Sequence, residues 1–417
     1  MLPAATKTVT DERVAALRLP ESTGWLGDAR AQALARVEAV GLPSRRDEYW
    51  RYTNPAALVQ AAPAVDEAHG AADPFDGIDA VMITFDGDSV SIPSDLPDGL
   101  EIAALSGVEK TDIHWARDLY GVLEAQGSKP VLRPLASLNT AYATEGVLIR
   151  VTGHVDRPVH VRTVGDGDPM LHHVVKVEAQ ASVTLLKSGT AGARSNVVTE
   201  VDVADGGACR LVTVQGPDHD RHTNTHMFAR LGTESVFHSF TLSANGRLTR
   251  NEAVVELTGD DAVCQLAGAA FGGTDFHHDD TVFITHDAVN CESRQVFKKV
   301  LRAGATGVFQ GKILVKEGAQ KTDGYQISQS LLLDDESVFL AKPELEIYAD
   351  DVACSHGSTT GAIDETALFY LRSRGVSKRE ATDLLVLSFL AEPLEEIDDE
   401  ALREHVSGLL AAWLARH

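Results

Sequence analysis

The sequence predicts a mainly β protein: a right-handed parallel β-helix core flanked by α-helical domains at its N- and C-terminal ends. Three observations predict it. From about residue 145 to 355, short alternating runs follow one another, among them "VLIRV", "HHVVKVE", "SVTLLK", "ACRLVTV", "TVFITH" and "GKILVK", separated by breaks rich in Gly, Asp and Asn. Period-2 alternation with such punctuation means strands. A small residue opens a strand at Ser182, Ala208, Ser235, Ala262 and Asn290, at successive spacings of 26, 27, 27 and 28 residues. A near-constant period in that range marks stacked rungs, each burying its apolar side only against its neighbours. No amphipathic helix of ten or more residues interrupts the strands, which argues against a doubly wound α/β sheet.

The elements follow in order. Residues 1–75 read as an N-terminal helical domain, in which Leu34, Val37 and Val40 recur at helical spacing and Pro43 stops the run. The next stretch, "PSRRDEYWRYTN", is dense in arginine and aromatic residues and reads as cation–aromatic packing on a small helical cap. Residues 76–144 form a mixed connecting region with a short strand in "AVMITF", and the β-helix core occupies 145–355. An open solenoid must protect its ends, and the helical segments at both ends of this chain are placed to do so.

Residues 356–417 form the C-terminal helical domain. Asp364 is the candidate N-cap of a first helix and Gly375 its stop. Ser377 and Glu380 open a second in capping-box spacing, which ends at Pro393. Leu402, Val406, Leu409, Leu410 and Trp413 lie on one stripe of a third. Such a stripe serves as core or, beside an elongated scaffold, as a docking platform.

Composition excludes several functions. The 417 residues carry a net charge of -24, which argues against a nucleic-acid surface or adsorption to anionic membranes. At 44% hydrophobic the chain can bury a core. The N-terminal stretch lacks the apolar segment of a secretory signal, and no run approaches a membrane helix. Cys209, Cys264, Cys291 and Cys354 are sparse and far apart, unlike a disulfide framework. A cytoplasmic protein with free thiols is expected.

Three stretches carry candidate chemistry. "GATGVFQGKI" resembles a phosphate-binding loop, but Ile313 follows Gly311-Lys312 where Ser or Thr is needed, Thr306 stands where the first Gly belongs, and a strand follows. "DFHHDD" places His277 and His278 side by side; on a strand they point to opposite faces, and a solvated corner is the expected reading. The third is "ADDVACSHGSTTGAIDE", residues 349–365. On a strand, Cys354 and His356 share a face, roughly 6.5–7 Å apart. Thiolate and imidazole suit iron, zinc or an iron–sulfur cluster. Two ligands do not close a site, and the rest would come from Asp350, Asp351, another rung or a second chain. A structural corner, a metal or cluster ligand pair, and a nucleophile with its base all remain open on spacing alone, although nothing marks an oxyanion hole.

"GVFQGKILVKEGAQKTDGYQISQSLLL" and "KPELEIYADDVACSHGSTTGAIDETALFYLRSRG" resemble the SufB/SufD family, the scaffold proteins of the SUF iron–sulfur cluster assembly machinery. The resemblance is close from Gly307 through the C-terminal helices, and looser over the β region and "SRRDEYWRYTN". Within the family the chain is similar to the SufD branch. "SVFLAKPELEIYADD" offers no counterpart of the catalytic cysteine of the SufB branch, and Cys354-Ser355-His356-Gly357 stands where that branch has a Glu-His-Glu-type sequence.

The resemblance implies a non-catalytic assembly subunit with a β-helix core between helical domains. It implies pairing with a SufB-like paralogue through the β-helix, and docking of a SufC-like ATPase on the C-terminal helices around Phe369, Tyr370, Arg372 and Arg374. It places His356, with Cys354 as auxiliary ligand, at the paralogue interface, where iron or a nascent iron–sulfur cluster is shared. It allows for reduced flavin in the complex and for a homodimer when the subunit is isolated. The rival expectation is a β-helix carbohydrate-active enzyme, which needs aromatic platforms for sugar; aromatic residues make up only 6% of the chain.

Overall fold

The computed structural model describes residues 3–62, 72–87, 89–107, 115–129, 131–165, 167–189, 193–216 and 220–415. The chain begins with helices α1 (Ala4–Ala16), α2 (Gly24–Val40) and α3 (Ala56–Val59). Strands β1 (Val81–Asp86), β2 (Ser89–Ser91) and β3 (Leu100–Ala104) come next, then helices α4 (Val122–Gly127) and α5 (Pro134–Tyr142). Strands β4 (Val147–Val151), β5 (Val159–Val164), β6 (Met170–Val177) and β7 (Ser182–Ser188) begin the regular stack. It continues with β8 (Arg194–Val203), β9 (Ala208–Gln215), β10 (His222–Leu231), β11 (Val236–Ala244) and β12 (Leu248–Leu257). Then come β13 (Val263–Gly272), β14 (His277–His286), β15 (Glu292–Leu301), β16 (Thr306–Val315) and β17 (Thr322–Leu332). The last turn is β18 (Val338–Ile347) and β19 (Val352–Ala362), before helices α6 (Glu365–Ser373), α7 (Lys378–Leu394) and α8 (Glu400–Leu414).

Successive strands alternate between two sheets. One has the order β19-β17-β15-β13-β11-β9-β7-β5-β1-β2, the other β18-β16-β14-β12-β10-β8-β6-β4-β3. From β4 onward every pair is parallel, so the core is a parallel β-solenoid as the repeat predicts. Ser182 pairs with Ala208 as the spacing predicts, but Ala208 pairs with Val236, and Val236 with Val263, one residue beyond the sequence anchors.

The true period belongs to the corner before each strand of the first sheet. Gln180, Gly206, Glu234, Asp261, Asn290 and Lys321 all have φ between 54° and 64° there. Each donates its N–H to a carbonyl of the next turn: Gly206 to Thr233, Asp261 to Val289, Asn290 to Gln320 at 2.8–3.0 Å. Inside this corner Ala181, Ser235, Ala262, Cys291 and Thr322 stack as a column of small, fully buried side chains.

The lumen is divided. Beside that corner it is apolar: Val183, Cys209, Phe237 and Cys264 of one sheet meet Val203, Leu231 and Leu257 of the other. At the opposite corner the inward residues are Lys187, Thr213, Gln215, Ser239 and Thr241, facing Ser195, Thr199, Thr223, Thr225 and Asn251. This polar half explains why β8, β10 and β17 escape recognition as apolar alternations.

The helical segments do not cap the ends of the solenoid; they lie across its faces. Helices α7 and α8 pack on the first sheet, where Val386, Leu390, Leu402, Val406, Leu410 and Trp413 join Val212, Phe240, Leu242 and Val300 in one core cluster. The stripe on α8 is therefore core. The N-terminal end is instead closed by antiparallel strands, β2 on β1 and β3 on β4. Among the described residues nothing comparable follows β19.

Two local expectations are corrected. Helix α2 stops at Val40, because Gly41 takes φ 72° and its N–H bonds to the Val37 carbonyl, so Pro43 is not needed as the stop. The strand holding Cys354 and His356 runs on to Ala362, so the β stack extends beyond 355. The capping of α6 by Asp364 and of α7 by Ser377 is as predicted, each side chain accepting backbone N–H groups.

"DFHHDD" is not a solvated corner. His278, Asp279 and Asp280 are buried on β14, with alternate residues facing the lumen and the N-terminal domain. Asp279 meets Arg250 and the Thr53 hydroxyl, while Lys299 and Asp280 pair at 2.5 Å. The "EYW" aromatics do take part in cation–aromatic packing, but with cations of the solenoid: Arg250 lies 4.0 Å over the Trp50 ring and Lys342 4.1 Å over Tyr49.

Below these rings Glu252 bridges Arg250 at 2.9 Å and Arg133 at 3.1 Å, all three buried. Burial alone would raise the Glu252 carboxyl; Arg250, His226 and Arg133 outweigh it and lower it to about 2. The stability this pairing supplies is present above the unfolded carboxylate range near 4.3 and is lost as pH falls toward 2. Glu252→Gln should cost about 3 kcal/mol and flatten the acid limb of the stability curve between roughly pH 5 and 2. Urea denaturation across that range measures both.

Candidate functional site at the open end of the solenoid

Strands β18 and β19 form the last turn, each at the edge of its sheet. An edge strand offers a row of free N–H and C=O groups, and proteins ordinarily protect it with charge, proline or a bulge. Strand β18 has Lys342, Pro343, Glu344 and Glu346, and the N-terminal domain braces it, with Lys342 bonded to Glu48 at 2.6 Å and Tyr49 donating to Glu344 at 2.7 Å. Strand β19, "VACSHGSTTGA", has eleven residues and neither a formal charge nor a proline.

His356 stands exposed near the middle of β19. In register below it lie Gln326 on β17 and Gln295 on β15, a column of buried amides in which Gln326 Nε2 donates to Gln295 Oε1 at 2.7 Å. The Gln326 side-chain oxygen is buried with no partner among the described residues. Gly311 across the lumen makes room for this amide, since a Cβ there would come within 2.4 Å of it.

Cys354 lies two residues before His356 on the same face of β19, as the spacing predicts. It is half-buried against the cluster of Ile313, Val315, Leu345 and Ala349, above Gly324. Burial pushes its thiol up, partly countered by the Gly324 backbone, so it is protonated at neutral pH until a metal displaces the proton. Asp350 and Asp351 sit in the turn before β19, exposed. Among the described residues no group of three or more His, Cys, Asp or Glu could hold a metal ion. The described residues thus present a thiol and an imidazole on one face of an edge strand.

On α6 the four predicted docking residues are all exposed. Phe369 is 74% and Tyr370 56% accessible, and Arg374 lies 3.4 Å over the Tyr370 ring. Leu384 of α7, which the sequence reading did not single out, is also exposed. Its absence from the buried stripe of α7 is the signal that could have found it.

Together these features describe a scaffold: a parallel β-solenoid, braced by helices on both faces and left open at one end. The family model described as SUF system FeS cluster assembly, SufBD core domain, matches residues 162–389, more than half of the chain, and the protein belongs to that family. It is 26% identical to iron–sulfur cluster assembly protein SufD of Escherichia coli over 397 residues, covering 90% of each chain. An iron–sulfur cluster assembly SufBD family protein of Synechocystis is 26% identical over 408 residues, covering 89% of this chain and 87% of its own. The chloroplastic protein ABCI7 of Arabidopsis thaliana is 26% identical over 430 residues, covering 94% and 87%. No helix among the described residues is long and apolar enough to cross a membrane.

The thiols should rank by burial. At pH 7 Cys354 should alkylate with iodoacetamide several times more slowly than free cysteine, accelerating as pH rises. Cys209, whose burial pushes its thiol up to about 12, should react only on unfolding. Mass spectrometry of peptides after timed labelling reads both.

Proposed function

We propose that this protein is a SufD-type, non-catalytic subunit of a SUF assembly complex, working in the cytoplasm. Its open last turn pairs with the corresponding turn of a SufB-like paralogue, and α6 docks a SufC-like ATPase. The observation that carries the reading is the unprotected edge of β19 with His356 exposed upon it. A neutral eleven-residue strand edge fits addition of another strand, which satisfies its backbone groups and excludes water. Pairing there brings His356 and Cys354 against the partner's side chains. An iron ion or nascent cluster, as cargo, then takes its ligands from both chains. His356 acts as imidazole ligand or proton acceptor, and Cys354 as an auxiliary thiolate. In isolation the same edge supports a homodimer.

The aromatic–arginine face of α6 supplies the second contact. Helix α7 follows α6 after a short turn, and it and the turn after it are ion-paired to the solenoid through Glu392 with Lys298 at 2.6 Å and Glu396 with Arg294 at 2.7 Å. Movement of a docked ATPase would thus be transmitted to β15, two strands from the edge. The carbohydrate-enzyme reading finds no support, because helices cover the broad faces of both sheets where a substrate groove would lie.

His356→Ala should leave folding and complex assembly intact. It should lower cluster formation by the reconstituted complex at least tenfold, since even an outer-shell partner of a metal ligand is worth roughly 10–100-fold. Unchanged cluster formation would remove the ligand role. Phe369→Glu should weaken capture of the ATPase subunit by at least about 2 kcal/mol, roughly thirtyfold in affinity, without changing paralogue pairing. Pull-down of both subunits with each variant separates the two surfaces.

A further inference from the structure

The polar half of the lumen holds a cavity of about 140 Å³ with Lys187 on its wall, and none of its described lining residues belongs to β19 or α6. Lys187 extends from β7 across the lumen to β8, where Nζ donates to Thr199 Oγ1 at 2.9 Å. That hydroxyl takes one of the three protons an ammonium can donate. Lys187 is half-buried and lines the cavity.

Among the described residues no carboxylate pairs with it. Asp280 on the cavity wall is committed to Lys299, and the Glu252 side chain lies on the outer face of its sheet with Arg250 and Arg133. His173 on the wall is kept neutral by burial, and Arg221 is a second cation. His173 Nδ1 accepts the Val147 N–H at 3.3 Å, which leaves Nε2 as a donor. Thr163, Ser195 and Thr213 add hydroxyls. The contrast with Lys299 in the same lumen is informative: that ammonium has both Asp280 and His278 within 2.6 Å.

We propose that this cavity is a binding site for a small monovalent inorganic anion, held by the Lys187 ammonium together with the surrounding hydroxyls. A buried cation without a counter-charge is costly. Burial lowers Lys187 to about 8, so it remains mostly charged at pH 7. The volume suits one anion with a few waters, a water's share of liquid being about 30 Å³.

Bromide is the probe. Crystals of the full chain soaked in sodium bromide should show an anomalous peak at the bromine edge beside Lys187 Nζ, absent from Lys187→Met. In solution, exchanging gluconate, which is too large for the cavity, for bromide at constant ionic strength should raise the melting temperature of the wild type but not of Lys187→Met. The apparent bromide affinity should fall about tenfold per pH unit above the Lys187 range, as the amine loses its proton. The other charged or titratable groups on the wall are Arg221, Asp280 and His173, and burial keeps His173 neutral throughout this range. Thr199→Val, which keeps the ammonium, should weaken bromide severalfold and serves if Lys187→Met does not fold. A wild-type lumen without the peak, or a peak and melting shift retained in Lys187→Met, overturns the proposal.

Discussion

At each turn of the solenoid the chain reverses at one residue with positive φ, and that residue's N–H is bonded to a carbonyl of the next turn. Five of the six corner residues are not glycine, so each bears a left-handed conformation that costs an L residue roughly 1–2 kcal/mol. The hydrogen bonds and the ladders they align offset it. Because the corner fixes where each strand starts, the strands stack in register about 4.8 Å apart, and like positions form columns. The small side chains inside the corner, the apolar lumen and the Gln295–Gln326–His356 column all follow from that alignment.

The opposite half of the lumen is polar, and charge is buried on both sides of the second sheet. On the outer face of the second sheet, Glu252 and Asp279 with Arg250 and Arg133 clamp the N-terminal domain to the solenoid. Glu200 does the same for α4, accepting the Gly121 and Glu124 N–H groups ahead of and within its first turn. A solenoid whose interior is only half apolar needs its outer faces covered, and the flanking helices bury enough apolar surface to serve that need.

Protection of the two ends is unequal. Antiparallel strands close the N-terminal end, and the N-terminal domain braces β18, whereas the outer edge of β19 is neutral and, among the described residues, unpaired. Proteins ordinarily blunt or cover such an edge. The family to which the chain belongs gives that edge a context, iron–sulfur cluster assembly, and the position of His356 on it gives the edge a chemistry.

Alternation and period determined the solenoid from sequence, because each rung repeats the same inward and outward pattern. Asp364 and Ser377 were legible as helix caps because capping is local. The shared face of Cys354 and His356 was legible because strand geometry alone fixes it. Strands β8, β10 and β17 were not, since Asn, Thr, Gln and Ser fill a polar lumen that only the closed turn creates. Nor could the sequence reveal that the α8 stripe is core, that the histidines and aspartates of β14 are buried, or that the helices cover faces while β19 stays open. Those outcomes depend on which surfaces meet in three dimensions, and residues more than a hundred positions apart, such as Arg133 and Glu252 or Tyr49 and Glu344, decide them.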